Sequence, residues 1–408
     1  MSGGWKTKKL GDVCDLLNRG ISPKYLEKGG ICVLNQKCIR NHQINYTPSR
    51  RHDLSEKKVT EGRFIKLGDV LVNSTGTGTL GRVAQVRQEP IEPTTVDSHV
   101  TIVRPKTAMF HLDFFGYMLV VIEDAIKEAG EGCGGQTELA RSVLAEKFFV
   151  SFPEQLCDQK RIVDILDETF EGITTAKSNV EKSLHNARDL FNNHLNAIFT
   201  QQIHGWEMKY LGDVCSFLNR GVSPKYLENG GIVVLNQRCI RDHRVCFSEA
   251  RRHDANAKKI SNERLVRQGD VLVNSTGTGT LGRVAQLIEN PLEPTTVDSH
   301  VTIVRPIPGQ FCMEFFGYML ISIENAIKKA GEGCGGQTEL ARTVLAEKFL
   351  VSYPKSLLKQ EAIVIQLNSL FFETRRLESI YQRKLIALDE LKKSVLHRAF
   401  NGNLKGSP

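Results

Sequence analysis

The chain has 408 residues, of which 40% are hydrophobic and 25% charged, and its formal net charge at pH 7 is +8. This composition is typical of globular proteins and excludes a disordered chain, and no apolar run approaches the roughly 18 to 20 residues that span a bilayer. The polar, lysine-containing start is unlike a signal peptide, so we expect a soluble, cytoplasmic protein without membrane segments.

The sequence consists of one unit written twice, at a shift of 201 positions. Residues 68–85, GDVLVNSTGTGTLGRVAQ, recur letter for letter at 269–286, and the same shift aligns Trp5 with Trp206 without a gap. This period is much longer than that of solenoid or propeller repeats, so each unit is a whole domain with its connector. A function proposed for this chain must therefore require two copies of that domain.

Each unit begins with short apolar stretches that are separated by glycine and proline. The clearest of these stretches in the first unit are 31–34, 70–72 and 100–103. Their alternation and spacing predict a mixed, mostly antiparallel β domain. In 114–129, apolar residues recur at helical spacing and Gly130 follows, which predicts a helix packed against the strands. A further helix is predicted to begin near Thr137, whose hydroxyl is a suitable N-cap.

A long amphipathic helix is predicted after each domain. Between Ile162 and Ile198 apolar or small residues recur every 3.6 residues on average, and the second unit repeats the pattern from Ile363 to Val395. About 40 helical residues span roughly 60 Å, which is more than one small domain can cover. We therefore expect the two helices to pack on each other as an antiparallel coiled coil; the alternative is that each helix folds back on its own domain.

The predicted fold class is α+β, with two similar domains and a pseudo-twofold arrangement of their paired helices. The predicted boundaries are 1–153 for the first domain, 154–204 for the first long helix, 205–354 for the second domain, and 355–408 for the second long helix and tail. From Glu154 to Gly205 the chain has 5 basic and 8 acidic residues, and from Lys355 to Pro408 it has 10 basic and 5 acidic ones. Net charges of −3 and +5 on the two segments favour their pairing.

The ten cysteines favour neither disulfides nor a zinc site. None lies in a Cys-x-x-Cys pair, and Cys32, Cys157, Cys246 and Cys312 have no counterpart in the other unit. We therefore expect reduced, mostly structural thiols and no bound metal.

A glycine-rich motif suggests nucleotide binding but does not fit it. Gly76 to Gly81 matches the G-x-G-x-x-G pattern, yet Arg82 to Val86 continues as a strand where the dinucleotide fingerprint requires a helix. Arg82 and Val83 also stand where a phosphate-binding loop requires Lys followed by Ser or Thr. We expect no nucleotide and no other cofactor.

Asp97 and His99, with their copies Asp298 and His300, suggest acid–base catalysis. In a strand, residues two apart share a face, and a histidine oriented by a carboxylate is a common proton shuttle. No nucleophile in a recognisable context and no carboxylate pair with metal-nuclease spacing accompanies them. A hydrogen-bonded pair that orders a loop is the favoured interpretation, and the chain is predicted to be non-catalytic.

Polar loops in both units contain the residue types that read DNA. Arg and Lys suit guanine and phosphate, and Asn and Gln suit adenine, while small neighbours allow close approach. One such loop alone is more often a solvated turn, but near-identical loops in both units suit two near-identical ligand elements. The candidate contacts are Arg19, Lys24, Tyr25, Gln36, Lys37, Arg40, Arg50, Arg51, Asn73 and Thr75 in the first unit, and Arg220, Lys225, Tyr226, Gln237, Arg238, Arg241, Arg251, Arg252, Asn274 and Thr276 in the second.

This layout and its local motifs resemble the specificity subunit of type I restriction–modification systems. Each unit contains, in order, Trp followed by Leu-Gly-Asp-Val, then Gly-Asp-Val-Leu-Val-Asn-Ser-Thr-Gly, then Gly-Gly-Gln-Thr-Glu-Leu. A proline followed by 159–163 opens the first long helix, and 399–404 resembles the closing motif of the family. The chain departs from the family in the degenerate end of its first helix, at 197–199, and in having near-identical recognition domains.

The resemblance implies a non-catalytic subunit that recognises double-stranded DNA through two target-recognition domains. Its implied partners are two modification subunits, which methylate adenine with S-adenosylmethionine, and restriction subunits, which translocate and cut DNA. The alternatives are a symmetric scaffold that binds protein through its duplicated domains and, third, a nuclease that uses His99 and Asp97. The duplication predicts a bipartite target whose halves form a split palindrome.

Overall fold

The computed structural model describes residues 4–130, 138–200, 205–331 and 339–401. Contacts group the chain into two compact units, Met1–Val180 with Lys384–Pro408, and Glu181–Arg383. Each unit contains one β-rich domain and a segment of each long helix. The sequence predicts four consecutive segments, whereas each of these units combines segments that are distant in the sequence. The predicted four boundaries stay a prediction.

The first domain is built from short strands and three short helices that precede the first long helix. Its strands are β1 (Trp5–Lys9), β2 (Cys14–Arg19), β3 (Tyr25–Leu26), β4 (Ile31–Leu34), β5 (Ile39–Arg40), β6 (Gln43–Ile44), β7 (Arg50–His52), β8 (Val70–Asn73), β9 (Val83–Gln85), β10 (Thr94–Val96), β11 (Val100–Pro105) and β12 (Phe149–Pro153). The helices are α1 (Leu112–Val121), α2 (Glu123–Gly130), α3 (Arg141–Glu146) and the long α4 (Leu156–Thr200).

The second domain repeats these elements in the same order. Its strands are β13 (Trp206–Tyr210), β14 (Cys215–Arg220), β15 (Tyr226–Leu227), β16 (Ile232–Leu235), β17 (Ile240–Arg241), β18 (Arg244–Val245), β19 (Arg251–His253), β20 (Val271–Asn274), β21 (Val284–Gln286), β22 (Thr295–Val297), β23 (Val301–Pro306) and β24 (Leu350–Pro354). The helices are α5 (Met313–Ser322), α6 (Glu324–Gly331), α7 (Arg342–Glu347) and the long α8 (Leu357–Phe400).

An antiparallel sheet with the strand order β2-β11-β8-β9 lies at the centre of the first domain. A second sheet, β10-β4-β7-β3, packs on one of its faces, and in that sheet β10 and β4 are parallel while the other pairs are antiparallel. Strand β1 pairs with β12, and β5 forms a short hairpin with β6. The second domain has the same pairings, which confirms the predicted mixed, mostly antiparallel architecture.

Strand β8 shows why a strand of the central sheet has a continuous apolar sequence. Val70 and Val72 lie in one core with helices α1 and α2, whereas Leu71 lies in a second core with Leu34 of the mixed sheet. Successive side chains of a strand point to opposite faces, and here both faces are covered. Every residue of β8 is therefore buried, and alternation with polar residues is absent from it.

The single helix predicted over 114–129 is wrong: it consists of two helices. Helix α1 ends at Val121 and α2 begins at Glu123, with Ile122 between them at φ −96° and ψ 8°. The second unit breaks at the equivalent residue, Ile323, and β-branched residues such as Ile122 and Ile323 weaken a helix because their side chains crowd the preceding turn. Ile126, which follows the break, is fully buried in the core.

The helix predicted near Thr137 begins later, at Arg141. Ala140 is its N-terminal cap and offers no side-chain hydrogen bond. Thr137 itself lies outside the described residues, as do most of the Gly-Gly-Gln-Thr-Glu-Leu motif and the last residues of the closing motif.

Helices α4 and α8 confirm the long helices that the period predicted. Within the first unit their segments are antiparallel, because Leu166 shares a core with Leu396 while, farther along α4, the Lys177 ammonium lies 2.7 Å from the Asp389 carboxylate. The end of α8 packs on the first domain, where the Phe400 ring lies in the same core. The helices therefore contact each other, and neither folds back only on the domain that precedes it.

The second unit contains an equivalent antiparallel pair in which the two helices have exchanged roles. Arg188 of α4 lies 3.5 Å from Glu378 of α8, and His194 lies 3.1 Å from Gln366. At the repeat shift of 201 positions, Lys177 of α4 corresponds to Glu378 of α8, and Arg188 of α4 corresponds to Asp389 of α8. The two ion pairs are therefore equivalent, with the helices interchanged. The same contact is thus made twice, once in each unit.

A buried glutamine fixes the start of each long helix to its domain. The Gln159 amide donates to the carbonyls of Met109 and Pro153, both at 2.9 Å, and its Oε1 accepts a hydrogen bond from the His111 backbone at 2.8 Å. Gln360 makes the same set of contacts in the second unit. Three backbone groups from two segments thus depend on one side chain, which sets the direction in which α4 leaves the domain.

Gln159→Ala is expected to lower the free energy of unfolding of the first unit by about 2 to 4 kcal/mol, because buried polar groups left without partners cost about 1 to 3 kcal/mol each. Urea unfolding followed by the fluorescence of Trp5, in a Trp206→Phe background, measures this. Lys160→Ala changes the next, exposed residue of the helix and should stay within about 0.5 kcal/mol. Equal losses in the two variants would contradict the anchoring role.

Candidate nucleic-acid interface

The predicted contact residues differ in what their side chains already bind within the protein. The Arg19 guanidinium, at the end of β2, lies 2.7 Å from the Glu138 carboxylate and donates to the Leu139 carbonyl at 2.9 Å. Arg220 makes the equivalent contacts in the second unit. These arginines join a strand end to the segment before α3, so part of each guanidinium is committed to the fold.

Arg51 is paired still more fully. Its guanidinium donates to both carboxylate oxygens of Glu92, at 2.5 and 2.8 Å, and to the Gly29 carbonyl at 2.9 Å. The hydrogen bond from Arg51 lowers the pKa of Glu92 below its usual value. Arg252 and Glu293 form the same pair in the second unit. A bidentate pair of this kind uses the edge of the guanidinium that would otherwise bind guanine.

Asn73 and Gln36 join two polar loops to each other. Asn73 is fully buried, and its amide donates at 3.0 Å to the carbonyls of Gln36 and Thr79. The Thr79 hydroxyl donates to Gln36 Oε1 at 3.2 Å, and the Thr75 hydroxyl lies 2.7 Å from His99 Nδ1. The residues with the same contacts in the second unit are Asn274, Gln237, Thr280 and Thr276. The buried amide of Asn73 has no edge exposed to a base.

The remaining predicted residues form an exposed contact set. In the first unit it consists of Lys24, Tyr25, Lys37, Arg40 and Arg50, and in the second of Lys225, Tyr226, Arg238, Arg241 and Arg251. The Arg50 guanidinium lies 4.7 Å from the centre of the Tyr25 ring, and the same pair in the second unit is 4.9 Å apart. Cationic and aromatic side chains of this kind suit phosphates and the faces of bases.

Within this set, Lys37 and Arg40 are the least engaged. Neither side chain has a hydrogen-bond or ion-pair partner among the residues that the structure describes, and the Lys24 ammonium is 4.0 Å from the Glu56 carboxylate with both side chains 61% exposed. An ion pair so exposed contributes little. These cations therefore remain available to a polyanion.

Arg40 stands next to the turn of the β5–β6 hairpin. The turn residues Asn41 and His42 have positive φ angles of 53° and 60°, which is the type I′ geometry that matches the twist of paired strands. His42 Nε2 lies 2.6 Å from the Glu123 carboxylate at the start of α2. The hairpin is thereby fixed to the helical layer while its tip stays exposed.

The sequence analysis missed Arg63, which supports the Asn-Arg-Gly corner. Its guanidinium donates to the carbonyls of Arg19, at 2.7 Å, and of Gly20. A Cβ at Gly20 would lie 2.0 Å from the Val96 carbonyl oxygen, so this corner requires glycine. The Asn-Arg-Gly triplet is a visible signal, but its partner lies more than forty residues away and no local pattern points to it.

The structure bears on the two motifs that suggested other chemistry. Residues 76–81 lie in the turn between the antiparallel strands β8 and β9, which confirms that no helix begins at these glycines. The His99 backbone donates to the Asp97 carboxylate at 2.9 Å and its ring binds Thr75, so this pair orders a loop. Over residues 4–130, 138–200, 205–331 and 339–401 there is no cluster of His, Cys, Asp and Glu that would hold a metal ion.

The cysteines within these ranges are free thiols. Burial raises the pKa of Cys14 and of Cys215 to about 12, so both stay protonated and unreactive at neutral pH. Across the same ranges, none of the helices is long and apolar enough to cross a membrane.

Comparison with known proteins gives one family and several similar structures. The model of the type I restriction modification DNA specificity domain matches residues 2–183 and again 203–383. A chain from the structure described as "Structural basis underlying complex assembly and conformational transition of the type I R-M system" is similar over 99% of both chains, with a TM-score of 0.75 and 17% identity. The HsdS subunit from Thermoanaerobacter tengcongensis is similar over 99% of this chain and 98% of its own, with a TM-score of 0.58 and 18% identity. No curated protein matches the chain significantly.

Proposed function

Because the chain belongs to the type I restriction–modification DNA specificity family, we propose that it recognises the DNA target of such a system. The observation that carries this proposal is the double match to the specificity domain, one in each half of the chain. The exposed contact set supports it, since a cation at each of four positions and a tyrosine at the fifth recur in both units. A protein that recognises a two-part DNA target requires such a pair of surfaces.

The chain is the non-catalytic member of its complex. It assembles with methyltransferase and restriction subunits, which supply the chemistry, and we propose that two modification subunits bind, one for each recognition domain. We place the complex in the cytoplasm, where its DNA substrate lies. The isolated chain is expected to bind DNA weakly and neither to methylate nor to cut it.

The paired and the exposed residues have different proposed roles on DNA. Lys24, Lys37, Arg40 and Arg50 are the cations with the fewest internal contacts, so we propose that they contact phosphates or base edges directly. Arg19, Arg51 and their copies shape the loops through their carboxylate partners. Asn73 and Asn274 are excluded from the proposed contacts because they are buried.

Removing the four exposed cations of one unit, as Lys24→Ala, Lys37→Ala, Arg40→Ala and Arg50→Ala together, is expected to weaken binding to every DNA sequence. Each lost phosphate contact should also reduce the slope of log K against log salt concentration by about 0.9. Filter binding of random-sequence and target duplexes by the full chain over a salt series measures both effects.

The matched control removes four exposed cations elsewhere in the same unit, as Lys8→Ala, Lys147→Ala, Lys160→Ala and Arg161→Ala, so that net charge changes equally. This variant should keep the wild-type slope. If both variants reduced the slope of log K against log salt concentration by the same amount, DNA binding would depend on net charge alone. The proposed surface would then be wrong. If the wild-type chain and its complex bound no DNA at all, the function would be that of a protein-binding scaffold.

A further inference from the structure

Some of the segments around the exposed contact set are conserved between the two units, and others differ. Residues 73–82 are identical to 274–283, and 18–25 differ from 219–226 at a single position. By contrast, the hairpin at 39–46 differs from its copy at 240–247 in five of eight positions. Residues 47–49, which precede Arg50, also differ from their copies, but the hairpin combines changed base-reading side chains with an exposed tip.

The hairpin presents its tip rigidly. In the second unit, Asp242 and His243 have φ angles of 51° and 59°, and His243 Nε2 lies 3.1 Å from Glu324, as the equivalent turn does in the first unit. The strand residue that leads to the tip, Ile240, is fully buried. A backbone fixed at both ends loses little entropy on binding, and a two-stranded ribbon fits the major groove.

The tips differ in a way that changes which base edge they can bind. Asn41 of the first unit is replaced by Asp242 in the second. The amide both donates and accepts, which suits N6 and N7 of adenine, whereas the carboxylate only accepts, which suits the N4 amino group of cytosine. The two side chains have nearly the same shape and stand on the same turn, so they would reach the same base position.

A second position near the tip also differs between the units in the base edge that its side chain suits. Gln43 pairs with Arg40 across the hairpin, and the residue in its place in the second unit is Arg244. Glutamine suits adenine, and arginine suits O6 and N7 of guanine. The side chains of Arg40, Asn41 and Gln43 are exposed and have no partner among the described residues, so they are free to make such contacts.

The carboxylate of Asp242, at the tip of the second hairpin, restricts the kind of ligand group that this tip can bind. A carboxylate close to phosphates is repelled unless a donor on the DNA compensates it. Asp242 lies beside a cleft of about 460 Å³ that is also lined by Arg241, His243, Arg283 and Glu324. The Asp242 carboxylate therefore stands at the edge of a cleft where it can accept a hydrogen bond from an amino group of a ligand.

We propose that the hairpin tips read base edges and that the two half-sites differ there, with adenine selected by Asn41 and Gln43 in one half, and cytosine and guanine selected by Asp242 and Arg244 in the other. This inference rests on the proposed DNA-recognition function. It makes the target palindromic everywhere except at the bases under the tips.

The test exchanges the tips in the full chain, produced together with its modification subunits, and maps methylated adenines by sequencing DNA from a host without other adenine methylation. Asn41→Asp with Gln43→Arg gives two tips of the second kind, and Asp242→Asn with Arg244→Gln gives two of the first. Each double variant should methylate a fully symmetric target. The fourfold variant should return the wild-type motif, because exchanging both halves of a bipartite site yields its reverse complement.

Asn41→Asp alone should change the preference at one base from adenine to cytosine by about 5- to 150-fold. The exchanged residues already occupy this turn in the other unit, so the variants keep a foldable tip. The exchange of Lys28→Asn with Asn229→Lys, at an exposed position outside the tip and outside the exposed contact set, should leave the motif unchanged. Should a variant lose methylation, selecting bound duplexes from a pool randomised in both half-sites gives the same comparison.

The outcomes separate this inference from the function on which it rests. An unchanged wild-type motif in both double variants would overturn the role of the tips and leave DNA recognition intact. Methylation without any motif in the wild-type complex would overturn DNA recognition itself. Symmetric motifs in the double variants, and the wild-type motif in the fourfold variant, are the result that supports the inference.

Discussion

Replacing Leu195 and Leu367 together by aspartate is expected to abolish assembly with the modification subunits. The two side chains lie in one cluster with Phe191, on facing segments of α4 and α8 in the second unit, and are 2% and 0% exposed. Truncating one buried leucine costs about 2 to 5 kcal/mol, and a buried charge costs more. Two such changes approach the whole stability of a typical domain, about 5 to 15 kcal/mol, so the helices should separate.

Co-purification with tagged modification subunits measures the loss. Leu190→Asp is the matched control, because Leu190 lies on the same helix but is half exposed, and that variant should assemble normally. Leu184 and Leu385 fit the apolar period equally well but are only partly buried, so they give a weaker test. Normal assembly of the Leu195 and Leu367 variant would show that complex formation does not depend on this helix pair.

The methylated target of the complex is expected to be a split palindrome with a fixed unread spacer. Two near-identical recognition domains read near-identical half-sites, and a twofold arrangement turns one half-site into its inverted complement on the other strand. The half-sites should lie about one helical turn apart, or roughly 34 Å between centres, so that both domains reach the groove from one face. The helix pair then acts as the ruler that fixes the spacer.

Sequencing of methylated adenines in a genome that carries this system tests the arrangement. The expected motif has inverted halves, one methylated adenine on each strand, and differences between the halves only at the bases under the hairpin tips. Inserting one heptad into both α4 and α8 should lengthen the spacer without changing the halves. Two unrelated half-sites in the wild-type motif would refute the twofold interpretation.

The long helices and the β architecture were predictable because their signals are local and repeated. A helical spacing of apolar or small residues, over eleven positions in the first segment and nine in the second, predicts α4 and α8 without reference to any partner, and the run Val70 to Val72 is visible as a buried strand. The break at Ile122 was not predicted, since the helical spacing of apolar residues continues through it. Ile126, which follows the break, is fully buried, and burial is a tertiary property that the spacing alone does not show.

The candidate site was predictable as a set of residue types, but its division into paired and exposed residues was not. Arg50 and Arg51 are neighbours in the sequence, yet Arg51 is held by Glu92, which is 41 residues away, and Arg50 lies over a tyrosine. Likewise, Asn73 fits a DNA-reading pattern but is buried under a neighbouring loop. These contacts join residues that are distant in the sequence, so they follow from the tertiary structure and not from a local sequence pattern.

The two interhelical ion pairs have a polarity that opposes the net charges of the segments. In each unit α4 contributes the cation, Lys177 or Arg188, and α8 contributes the anion, Asp389 or Glu378, although the α4 segment is net acidic and the α8 segment net basic. The polarity of these two contacts is therefore set by the individual residues and does not follow the net charge of the segments.

This polarity discriminates between a helix and its own copy. If α4 of one molecule paired with α4 of another in the same register, Lys177 would face Arg188, and α8 paired with α8 would set Glu378 against Asp389. Like charges at both contacts disfavour such crossed pairing, by a small amount for exposed groups, and the covalent link adds the advantage of a high local concentration. Both effects favour pairing of α4 with the α8 of its own chain over pairing between identical helices of two chains.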